Sequence, residues 1–386
     1  MKITDVKAYV LGTRWRNLIV LKVETDEGIY GLGEATTVNR DKAVLGYLEE
    51  MKHRHLIGRD PFDVEAIWRR IYTGDFIRGG WDAASVQSAV DVACYDIMGK
   101  ALGVPVWKLI GGRFRDRVPV YANGWYTVER TPEAVAGRVE AVLEKGYRAF
   151  KIDPFGHGEG ELSKDEFRKS IQILEALRER VGPGVEIFVE GHARFTVNTA
   201  VRLAKAMEPL DIGWFEEPCT WDYAVGWGEV RARTTIPIAG GEHFFQRYMY
   251  REVFETRSVD IIQPDMNFIG GFTEMRKVAA MADTYTVLVA PHNSQGPLNT
   301  AATLHFAVSC PNFKIQECFD DFFEPHVREA FPGAPRQVGG CFEVPTAPGL
   351  GVELNEEVFE KHPYRPLYFS LFEEDWERRE ARRLGE

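Results

Sequence analysis

The sequence predicts an α/β protein: a (β/α)7-8 TIM-type barrel with an N-terminal α+β capping domain. Two patterns predict this class. Apolar and polar residues alternate along 2–35, interrupted by a turn signal, DEG, at 26–28, as is typical of antiparallel strands. Eight short, nearly continuous apolar runs then recur between residues 118 and 317, as is typical of buried parallel strands alternating with helices.

The capping domain is expected to cover residues 1–115. After its strands, residues 41–110 have a helical period, and one predicted helix, SVQSAVDVACYDIMGKALG (85–103), ends at Gly103 before a proline. Its apolar side chains fall near one face, namely those of Val86, Val90, Ala93, Ile97 and Leu102. We therefore expect an α+β unit with the size of a common domain.

The barrel is expected to cover residues 116–320, with one strand for each apolar run. These runs are VPVYAN from 118, AFKID from 149, EIFVEGH from 186, IGWFEEP from 212, IPIAGGE from 236, VDIIQPD from 259, TVLVAPH from 286 and FKIQE from 313. The segment 321–386 is irregular, and its motif VPTAPGLGVEL (344–354) is predicted to return to the capping domain. The charged end, 373–386, has the composition of a solvated helix or a frayed end.

Composition excludes several classes of protein. The formal net charge of −11 argues against nucleic acid and anionic membranes as partners. We find neither an apolar run that could span a bilayer nor a signal-peptide pattern at the start. The five cysteines form no CxxC pair, which favours reduced thiols and a cytoplasmic location over disulfides or a zinc site.

Ionisable side chains stand at the carboxyl ends of seven successive predicted strands. Strand ends meet water, so a single charge there is ordinary. Seven in succession, on the rim where such barrels have their active sites, indicate one shared site. The candidates are Lys151, Asp153, Glu190, His192, Glu216 or Glu217, Glu242, Asp265, His292 and Glu317.

Three of these carboxylates are evenly spaced. Glu190, Glu216 and Glu242 follow one another at equal steps of 26 residues, and this regularity selects Glu216 over Glu217 as the inward group. Converging carboxylates repel each other unless a cation lies among them, and oxygen ligands suit a hard divalent ion. We expect Mg²⁺, which also supplies the positive charge that an anionic substrate needs in an acidic protein. Glu217 is expected to support the ligands from behind or to form a salt bridge.

Asp265 and His292 end neighbouring strands and form a candidate acid–base pair. A carboxylate on one ring nitrogen orients the imidazole and raises its basicity. On the next strand, Glu317 is a candidate for binding a substrate carboxylate, if it is protonated there, or for anchoring another ligand. Two interpretations of Lys151 stay open: a base or electrostatic stabiliser, and a salt bridge to Asp153 or to a metal ligand.

Together these residues resemble those of the enolase superfamily, and within it the mandelate racemase-like subgroup. The resemblance covers nearly the whole chain, including the capping domain, the segment DIMGKALGVPVWKLIGG (96–112), the three glutamates and the Asp265–His292 pair. It implies a Mg²⁺-bound carboxylate substrate whose α-proton is abstracted to give an enediolate. The implied partner is a small-molecule acid, and we expect a homo-oligomer.

Within this subgroup the chain resembles the acid-sugar dehydratases, especially those acting on galactonate or gluconate. His192 lies two residues beyond Glu190, where similar dehydratases place a histidine that protonates the departing hydroxyl. Glu317 follows His292 by 25 residues, as the resemblance implies for the carboxylate of the eighth strand.

The sequence departs from the subgroup in two places. Lys151-Ile-Asp153 replaces a Lys-x-Lys pattern, which removes one cation and weakens a two-base racemase. Glu190 stands where Asp is common, and the geometry of the metal site is expected to shift with it.

The resemblance implies a dehydration. His292 removes the proton at C2, and His192 protonates the leaving 3-hydroxyl, so that a 2-keto-3-deoxy acid results. Mg²⁺ binds the substrate carboxylate, and Lys151 with Glu317 helps to stabilise the enediolate.

Specificity is expected to come from two loops of the capping domain, 13–17 and 74–81. Their side chains are candidates for reading the far hydroxyls of a sugar acid, and the neighbouring glycines suit a mobile lid. Surface arginines and a packed tryptophan are an equally open interpretation. The substrate-binding candidates are Arg14, Arg16, Arg78, Trp81 and Asp153.

The sequence leaves three alternative functions. A racemase or epimerase of a 2-hydroxy acid would use the same site, but Asp153 and His192 count against it. A non-catalytic ligand-binding or regulatory relative would keep the fold but lack catalysis. The full set of metal-ligand candidates and the intact Asp265–His292 pair argue against such a loss of catalysis. Metal-dependent hydrolysis is disfavoured because such barrels usually take His among their metal ligands.

Overall fold

A three-stranded antiparallel sheet begins the chain in the computed structural model, which describes residues 1–370 and 382–383. Its strands are β1 (Ile3–Gly12), β2 (Asn17–Thr25) and β3 (Tyr30–Glu34), in the order β1-β2-β3. The DEG motif forms the turn between β2 and β3, where Gly28 takes a left-handed φ of 78°. This confirms the antiparallel sheet that the alternating pattern predicts.

Three helices follow this sheet: α1 (Asp41–His55), α2 (Val64–Gly74) and α3 (Trp81–Leu102). The helices α1 and α3 pack on the sheet, and α2 packs on both of them. The strand β3 packs closely on α3, since a side chain at Gly31 or Gly33 would collide with the carbonyl oxygens of Ala93 or Ala89. The predicted helix end is confirmed, because Gly103 follows α3 with a left-handed φ of 66°.

The predicted apolar face of α3 is only partly right. Leu102 is 56% exposed, whereas Ser85, Asp91 and Asp96 are buried. The reason is that α3 lies between the sheet and the rest of the molecule, so it is buried on nearly every side, whereas Ala101 and Leu102 at its end are exposed.

Eight parallel strands follow within the described residues. They are β4 (Arg117–Ala122), β5 (Ala149–Ile152), β6 (Glu186–Glu190), β7 (Ile212–Glu216), β8 (Ile238–Gly240), β9 (Ile261–Ile262), β10 (Leu288–Val289) and β11 (Gln316–Cys318). Their order is β10-β9-β8-β7-β6-β5-β4-β11, and a parallel bridge between Val289 and Phe313 joins β10 to the segment before β11. The sheet curls into a barrel, and all eight apolar runs form its strands as predicted.

The inside of the barrel is filled by one side chain from each strand or its immediate neighbour. Phe188 and Trp214 stack with ring centroids 3.4 Å apart, and Tyr121 meets both rings edge-on. This layer closes the barrel below the carboxyl ends of the strands. Its members are Tyr121, Ala149, Phe188, Trp214, Ala239, Ile261, Ala290 and Ile315.

Helices connect the strands and surround them. They are α4 (Pro132–Arg138), α5 (Glu140–Glu144), α6 (Lys164–Val181), α7 (Val197–Met207), α8 (Val225–Arg231), α9 (Gln246–Glu255), α10 (Gly271–Thr284) and α11 (Pro297–Ser309). Several begin at a side-chain cap: Thr131, Ser163 and Thr196 each accept a backbone N–H of the first turn.

The last part of the chain contacts both the N-terminal sheet and the barrel. It contains α12 (Pro325–Ala330), β12 (Cys341–Glu343), α13 (Glu356–Lys361) and β13 (Leu367–Tyr368), which pairs with β14 (Arg382–Arg383). The strand β12 pairs with β4, Phe359 packs against Tyr9 of β1, and the Leu350 N–H donates to Asp96. The domain boundaries at 115 and 320 stay predictions.

The predicted helix or frayed end at 373–386 lies outside the described residues, apart from the backbone of β14. Among the helices that the structure describes, none combines the length and apolar character needed to cross a membrane. All five cysteines lie in the described part of the chain and are free thiols.

Candidate active site

A cavity of about 390 Å³ opens at the carboxyl ends of the barrel strands. Lys151, His192, Glu242 and His292 line its floor. Aromatic side chains from the N-terminal region and from barrel loops form much of its wall, including Trp15, Trp81, Trp221 and Phe319. The polar floor and the apolar wall are typical of a small-molecule site.

Glu190, Glu216 and Glu242 converge at the floor. One oxygen of each lies within 4.8 Å of the others, which is close enough to hold one ion. His192 N–H donates to Glu190 Oε1 over 2.8 Å, and Trp214 Nε1–H donates to Glu216 Oε2 over 2.9 Å, so both carboxylates are oriented. Adjacent parallel strands pair Glu190 with Glu216 in register, which is why the two meet.

The donor set fits Mg²⁺. All three groups offer carboxylate oxygens, which are the ligands that this ion prefers. The buried Glu190 Oε2 accepts no hydrogen bond and only forms an ion pair of 3.0 Å with Lys151, so it is available to a cation. Glu217, Glu242 and His243 also approach within 4.8 Å of one another, but this second set contains an imidazole and suits Mg²⁺ less well.

Lys151 lies among the floor carboxylates. Its Nζ is 2.6 Å from Glu216 Oε1, 3.0 Å from Glu190 Oε2 and 3.1 Å from Glu317 Oε1. Burial alone would lower the pKa of Lys151, but the surrounding carboxylates raise it well above the usual value. The salt-bridge partners of Lys151 are therefore metal-ligand candidates and not Asp153, and its role as a base or electrostatic stabiliser stays a prediction.

Burial and the neighbouring Glu190 raise the pKa of Glu216 to about 8. The pKa of Glu242 is also raised, chiefly by burial. Crowding of carboxylates favours protonation, and a bound cation reverses this preference.

The predicted pair of Asp265 and His292 is formed. His292 Nδ1 lies 2.7 Å from Asp265 Oδ2, and His292 Nε2 points to Glu242 Oε2 at 3.3 Å. Gln295 and Asn299 donate to the two oxygens of Asp265 and fix its position. Burial would lower the pKa of His292, but Glu242, Glu317 and Asp265 raise it to about 10.

Glu317 lies next to this pair, with His292 Nε2 3.9 Å from its Oε2. Asn123 Nδ2–H donates to Oε1 over 2.8 Å, and the Asn293 N–H donates to Oε2 over 2.7 Å. Burial would raise the pKa of Glu317, but Lys151, His292 and these donors lower it to about 2. The surroundings of Glu317 therefore favour its ionised form, and its binding of a substrate carboxylate or of another ligand stays a prediction.

His192 lines the cavity opposite, at the end of β6. Its Nδ1 is 2.6 Å from Asp153 Oδ2, while Arg194 and the Phe155 N–H occupy Asp153 Oδ1. Burial would lower the pKa of His192, but Glu190 and Asp153 raise it. The pKa of Asp153 is lowered to about 2, since Arg194 and His192 outweigh burial.

Asp153 therefore differs from its prediction as a substrate-binding residue. Both of its oxygens are engaged within the protein, and it is not among the residues that line the cavity. It orients His192 as Asp265 orients His292. The residue two places after Lys151 is thus the partner of His192.

Of the predicted specificity residues, Arg16 and Trp81 line the cavity. Arg16 lies over the Trp15 ring and donates to Ser294 O and Gln295 Oε1, each over 3.0 Å. These contacts tie the first predicted loop to the barrel segment next to His292.

Arg78 and Arg14 are not brought to this cavity. Arg78 lies over the Tyr72 ring and lines a separate cavity between α2 and the 74–81 loop. Arg14 is half exposed and pairs with Glu324. The path of each loop across the barrel decides which of its side chains point inward, and composition alone does not give that path.

Glu217 forms a salt bridge, which is one of its two predicted roles, but sequence reasoning missed its partner, His243. His243 Nδ1 lies 2.7 Å from Glu217 Oε2, and the His243 ring lines the cavity. Burial would lower the pKa of His243, but Glu217 raises it to about 9. The sequence contains a signal for this pair. Glu217 directly follows Glu216, and His243 directly follows Glu242, at the ends of adjacent strands. Since Glu216 and Glu242 converge, the residues that follow them are also expected to lie close together.

A second missed feature is the buried Glu34 at the end of β3. It accepts N–H groups of Gly296 and Asn299 at the start of α11, over 2.7 and 3.1 Å. Burial raises the pKa of Glu34 to about 7 despite these donors. Nothing in the local sequence links β3 to α11, which begins more than 250 residues later.

Comparison with protein families gives two matches. Residues 6–111 match the mandelate racemase / muconate lactonizing enzyme N-terminal domain. Residues 134–358 match the family described as enolase C-terminal domain-like. Together the two matches span most of the chain.

Relatives named as sugar acid dehydratases are similar over nearly the same extent. The chain is 35% identical to the D-gluconate dehydratase of Thermoproteus tenax, with 94% of this chain and 73% of the relative covered. It is 36% identical to the D-galactonate dehydratase of Cronobacter sakazakii, with 92% and 93% covered. It is 30% identical to the D-gluconate/D-galactonate dehydratase of Picrophilus torridus, with 97% of both chains covered.

Solved structures agree with this assignment. A member of the enolase superfamily from Salmonella Typhimurium superposes with a TM-score of 0.89 at 32% identity, over 94% of this chain and 98% of the other. A mandelate racemase/muconate lactonizing enzyme from Jannaschia sp. CCS1 gives a TM-score of 0.88 at 32% identity, over 94% and 98%.

Proposed function

The chain belongs to the mandelate racemase/muconate lactonizing enzyme group of the enolase superfamily, and from this premise we propose that it is a Mg²⁺-dependent sugar acid dehydratase. The reaction abstracts the C2 proton of an aldonate such as gluconate or galactonate and eliminates the 3-hydroxyl to give a 2-keto-3-deoxy acid. The enzyme is thus a hydro-lyase. A cytoplasmic location and a homo-oligomer belong to the same proposal.

One observation supports the dehydration above all others. His292 and His192 line one cavity, each has a carboxylate on Nδ1, and each therefore presents Nε2. The metal-ligand candidates lie between them on the floor. Dehydration requires a base that removes a proton and an acid that protonates the neighbouring hydroxyl. The two histidines offer such groups on the two sides of one anion site.

The metal would be held by Glu190, Glu216 and Glu242. When bound there, Mg²⁺ supplies positive charge that attracts the substrate carboxylate, acidifies the adjacent C–H and offsets the negative charge beside His292. The oxygen-only donor set and the available Glu190 Oε2 support this choice of ion.

The protein residues perform the proton transfers. His292 Nε2 accepts the C2 proton, and Asp265 on Nδ1 stabilises the imidazolium that forms. Lys151, which stays cationic, stabilises the negative charge that develops at the substrate carboxylate. His192 donates its proton to the 3-hydroxyl as the C3–O bond breaks, so that water leaves. The enol then tautomerises to the 2-keto acid.

The experiment is a screen of the purified protein with Mg²⁺ against aldonic and aldaric acids, with 2-keto products trapped by semicarbazide. Keto acid from gluconate or galactonate, lost on addition of EDTA and in His292→Asn, is the expected result. His53→Asn is the matched control, because His53 is exposed on α1, away from the cavity. Deuterium uptake at C2 in heavy water without keto acid would contradict the proposal and favour the racemase.

A further inference from the structure

Three imidazoles line the cavity, and all three have the same construction. Each has Nδ1 within 2.7 Å of a buried carboxylate oxygen that belongs to a different strand end or loop. The proposed reaction uses two of them and leaves the third without a role. The three pairs are His192 with Asp153, His243 with Glu217, and His292 with Asp265.

The third ring is held firmly in place. His243 stacks on Trp221 with centroids 5.7 Å apart and planes 12° apart, and Trp81 Nε1–H donates to the His243 backbone oxygen over 3.0 Å. The Gly241 N–H donates to Glu217 Oε1 over 3.2 Å and so positions the carboxylate that binds the His243 ring. These contacts restrict the His243 ring more than is usual for a solvent-exposed histidine.

Holding His243 in this way is costly to the fold. Glu217 is fully buried and has a left-handed φ of 36°, a conformation that non-glycine residues rarely adopt. Strain and buried charge concentrate where function requires a fixed geometry. The His243 side chain remains 36% exposed, so the support is buried while the ring is reachable.

The position of the ring indicates which part of a substrate it meets. The Glu242 carboxylate lies between two imidazoles, with His292 Nε2 3.3 Å from Oε2 and His243 Nδ1 3.9 Å from Oε1. His243 is therefore beside the reacting carbons but on the side away from the base. The base and the acid already account for the C2 proton and the 3-hydroxyl, so the oxygens left for His243 are the hydroxyls that stay in the product.

We infer that His243 is a substrate-binding residue, whose Nε2 forms a hydrogen bond with one of the hydroxyls at C4 to C6 of a sugar acid and so selects among such acids. The inference rests on the proposed function. A hydroxyl both donates and accepts, so the bond forms whether or not Nε2 has a proton. Glu217 is the positioning residue that keeps Nε2 directed into the cavity.

The test compares wild type, His243→Leu and His243→Gln on the aldonate that wild type dehydrates, D-gluconate or D-galactonate, and on its 4-, 5- and 6-deoxy analogues. Wild type is expected to prefer the parent acid over one analogue by about 10–100-fold in kcat/KM, because a missing hydroxyl leaves the ring nitrogen without its partner. His243→Leu should lose this preference, chiefly through a higher KM for the parent acid. His243→Gln, whose amide nitrogen replaces Nε2, should keep part of it.

His53→Leu is the matched control, because it makes the same replacement at an exposed residue of α1. If His243→Leu kept the preference for the parent acid over the deoxy analogue, the inference about His243 would be wrong, but the proposed function would stand. The same conclusion would follow from a Mn²⁺ titration followed by electron paramagnetic resonance in which this variant loses one of two bound ions, since His243 would then be a metal ligand. A wild type that produces no keto acid from either aldonate would overturn the proposed function itself.

Discussion

The Glu34 carboxylate in the N-terminal sheet accepts a hydrogen bond of 3.1 Å from the backbone N–H of Asn299 in the barrel. It thereby caps the start of α11, to which Gly296 contributes a second N–H. The Asn299 side chain in turn donates to Asp265 over 3.3 Å. One buried carboxylate thus connects the N-terminal sheet to the group that orients His292.

Replacing Glu34 by alanine should therefore affect both stability and catalysis. Two buried N–H groups lose their acceptor, which should destabilise the protein by about 2–4 kcal/mol. Looser placement of Asp265 should lower kcat by about 10-fold and leave KM nearly unchanged. Urea unfolding and steady-state kinetics of Glu34→Ala check the two effects.

Asp91→Ala is the control for this change. Asp91 is also buried and accepts the Thr273 N–H over 3.1 Å at the start of α10, but it makes no contact with Asp265. A comparable loss of stability with an unchanged kcat is expected. An equal fall in kcat in both variants would show that the link from Glu34 to Asp265 has no specific role.

Asp153→Asn should separate the two halves of the reaction. Asp153 orients His192 and raises its pKa, so its loss should impair protonation of the leaving hydroxyl but not removal of the C2 proton. We expect keto acid formation to fall by about 100-fold, while deuterium exchange at C2 continues. Proton NMR in heavy water follows both quantities in one sample.

Glu159→Gln, an exposed change in the same loop, serves as the reference and should resemble wild type. If exchange and elimination fell together in Asp153→Asn, Asp153 would support proton abstraction, and the division of labour between His192 and His292 would be wrong.

Lys151→Met should destabilise the metal-free protein strongly. Lys151 is the cation shared by Glu190, Glu216 and Glu317, and its removal leaves buried carboxylates without a partner, at a cost of about 3–5 kcal/mol. Added Mg²⁺ should recover much of this loss, because an ion among the glutamates offsets the same charge. Urea unfolding in EDTA and in excess Mg²⁺ measures the difference.

For comparison, Lys7→Met removes the exposed pair with Glu24 and should cost less than about 1 kcal/mol under either condition. A loss at Lys151 that is the same with and without Mg²⁺ would argue against a metal among Glu190 and its neighbours.

His305 should make stability depend on pH between 6.5 and 4. It is buried in α11, where Nδ1 accepts the Trp107 N–H and Nε2–H donates to Leu350 O, each over 3.2 Å. Burial lowers its pKa from 6.5 to about 4, so the folded state favours the neutral ring. The resulting stability is present above pH 6.5 and is lost as pH falls through 4, in total about 3 kcal/mol.

The measurement is urea unfolding of wild type and His305→Gln at several pH values from 7 to 4. Other groups titrate in both proteins, so the difference between the two curves isolates His305. The variant should lose less stability than wild type on acidification. Parallel curves would mean that His305 is accessible to protonation in the folded state.

The sequence predicted the barrel and its floor well, for a physical reason. Buried parallel strands must be short apolar runs, and side chains at their carboxyl ends must meet at one rim. The position of Glu216 beside Glu190 follows from register between adjacent strands, and the equal spacing of the ligands gave that register in advance.

Contacts between distant parts of the chain were not predictable in the same way. The path of the 74–81 loop places Trp81 in the cavity and Arg78 outside it, and this path depends on packing of α2 and α3 against the barrel. The sequence predicts that Asp153 faces the substrate, because it does not show the partner that fixes this carboxylate, Arg194, which comes from another loop. The pairing of Glu34 with α11 also depends on tertiary structure alone.

The most direct test of the dehydration is one reaction in heavy water, with wild-type protein, Mg²⁺ and either D-gluconate or D-galactonate, followed by proton NMR. The expected result is a 2-keto-3-deoxy acid from at least one acid, with neither product nor C2 exchange in His292→Asn. Exchange at C2 in both acids with no loss of the 3-hydroxyl would contradict dehydration and assign the site to a racemase or epimerase.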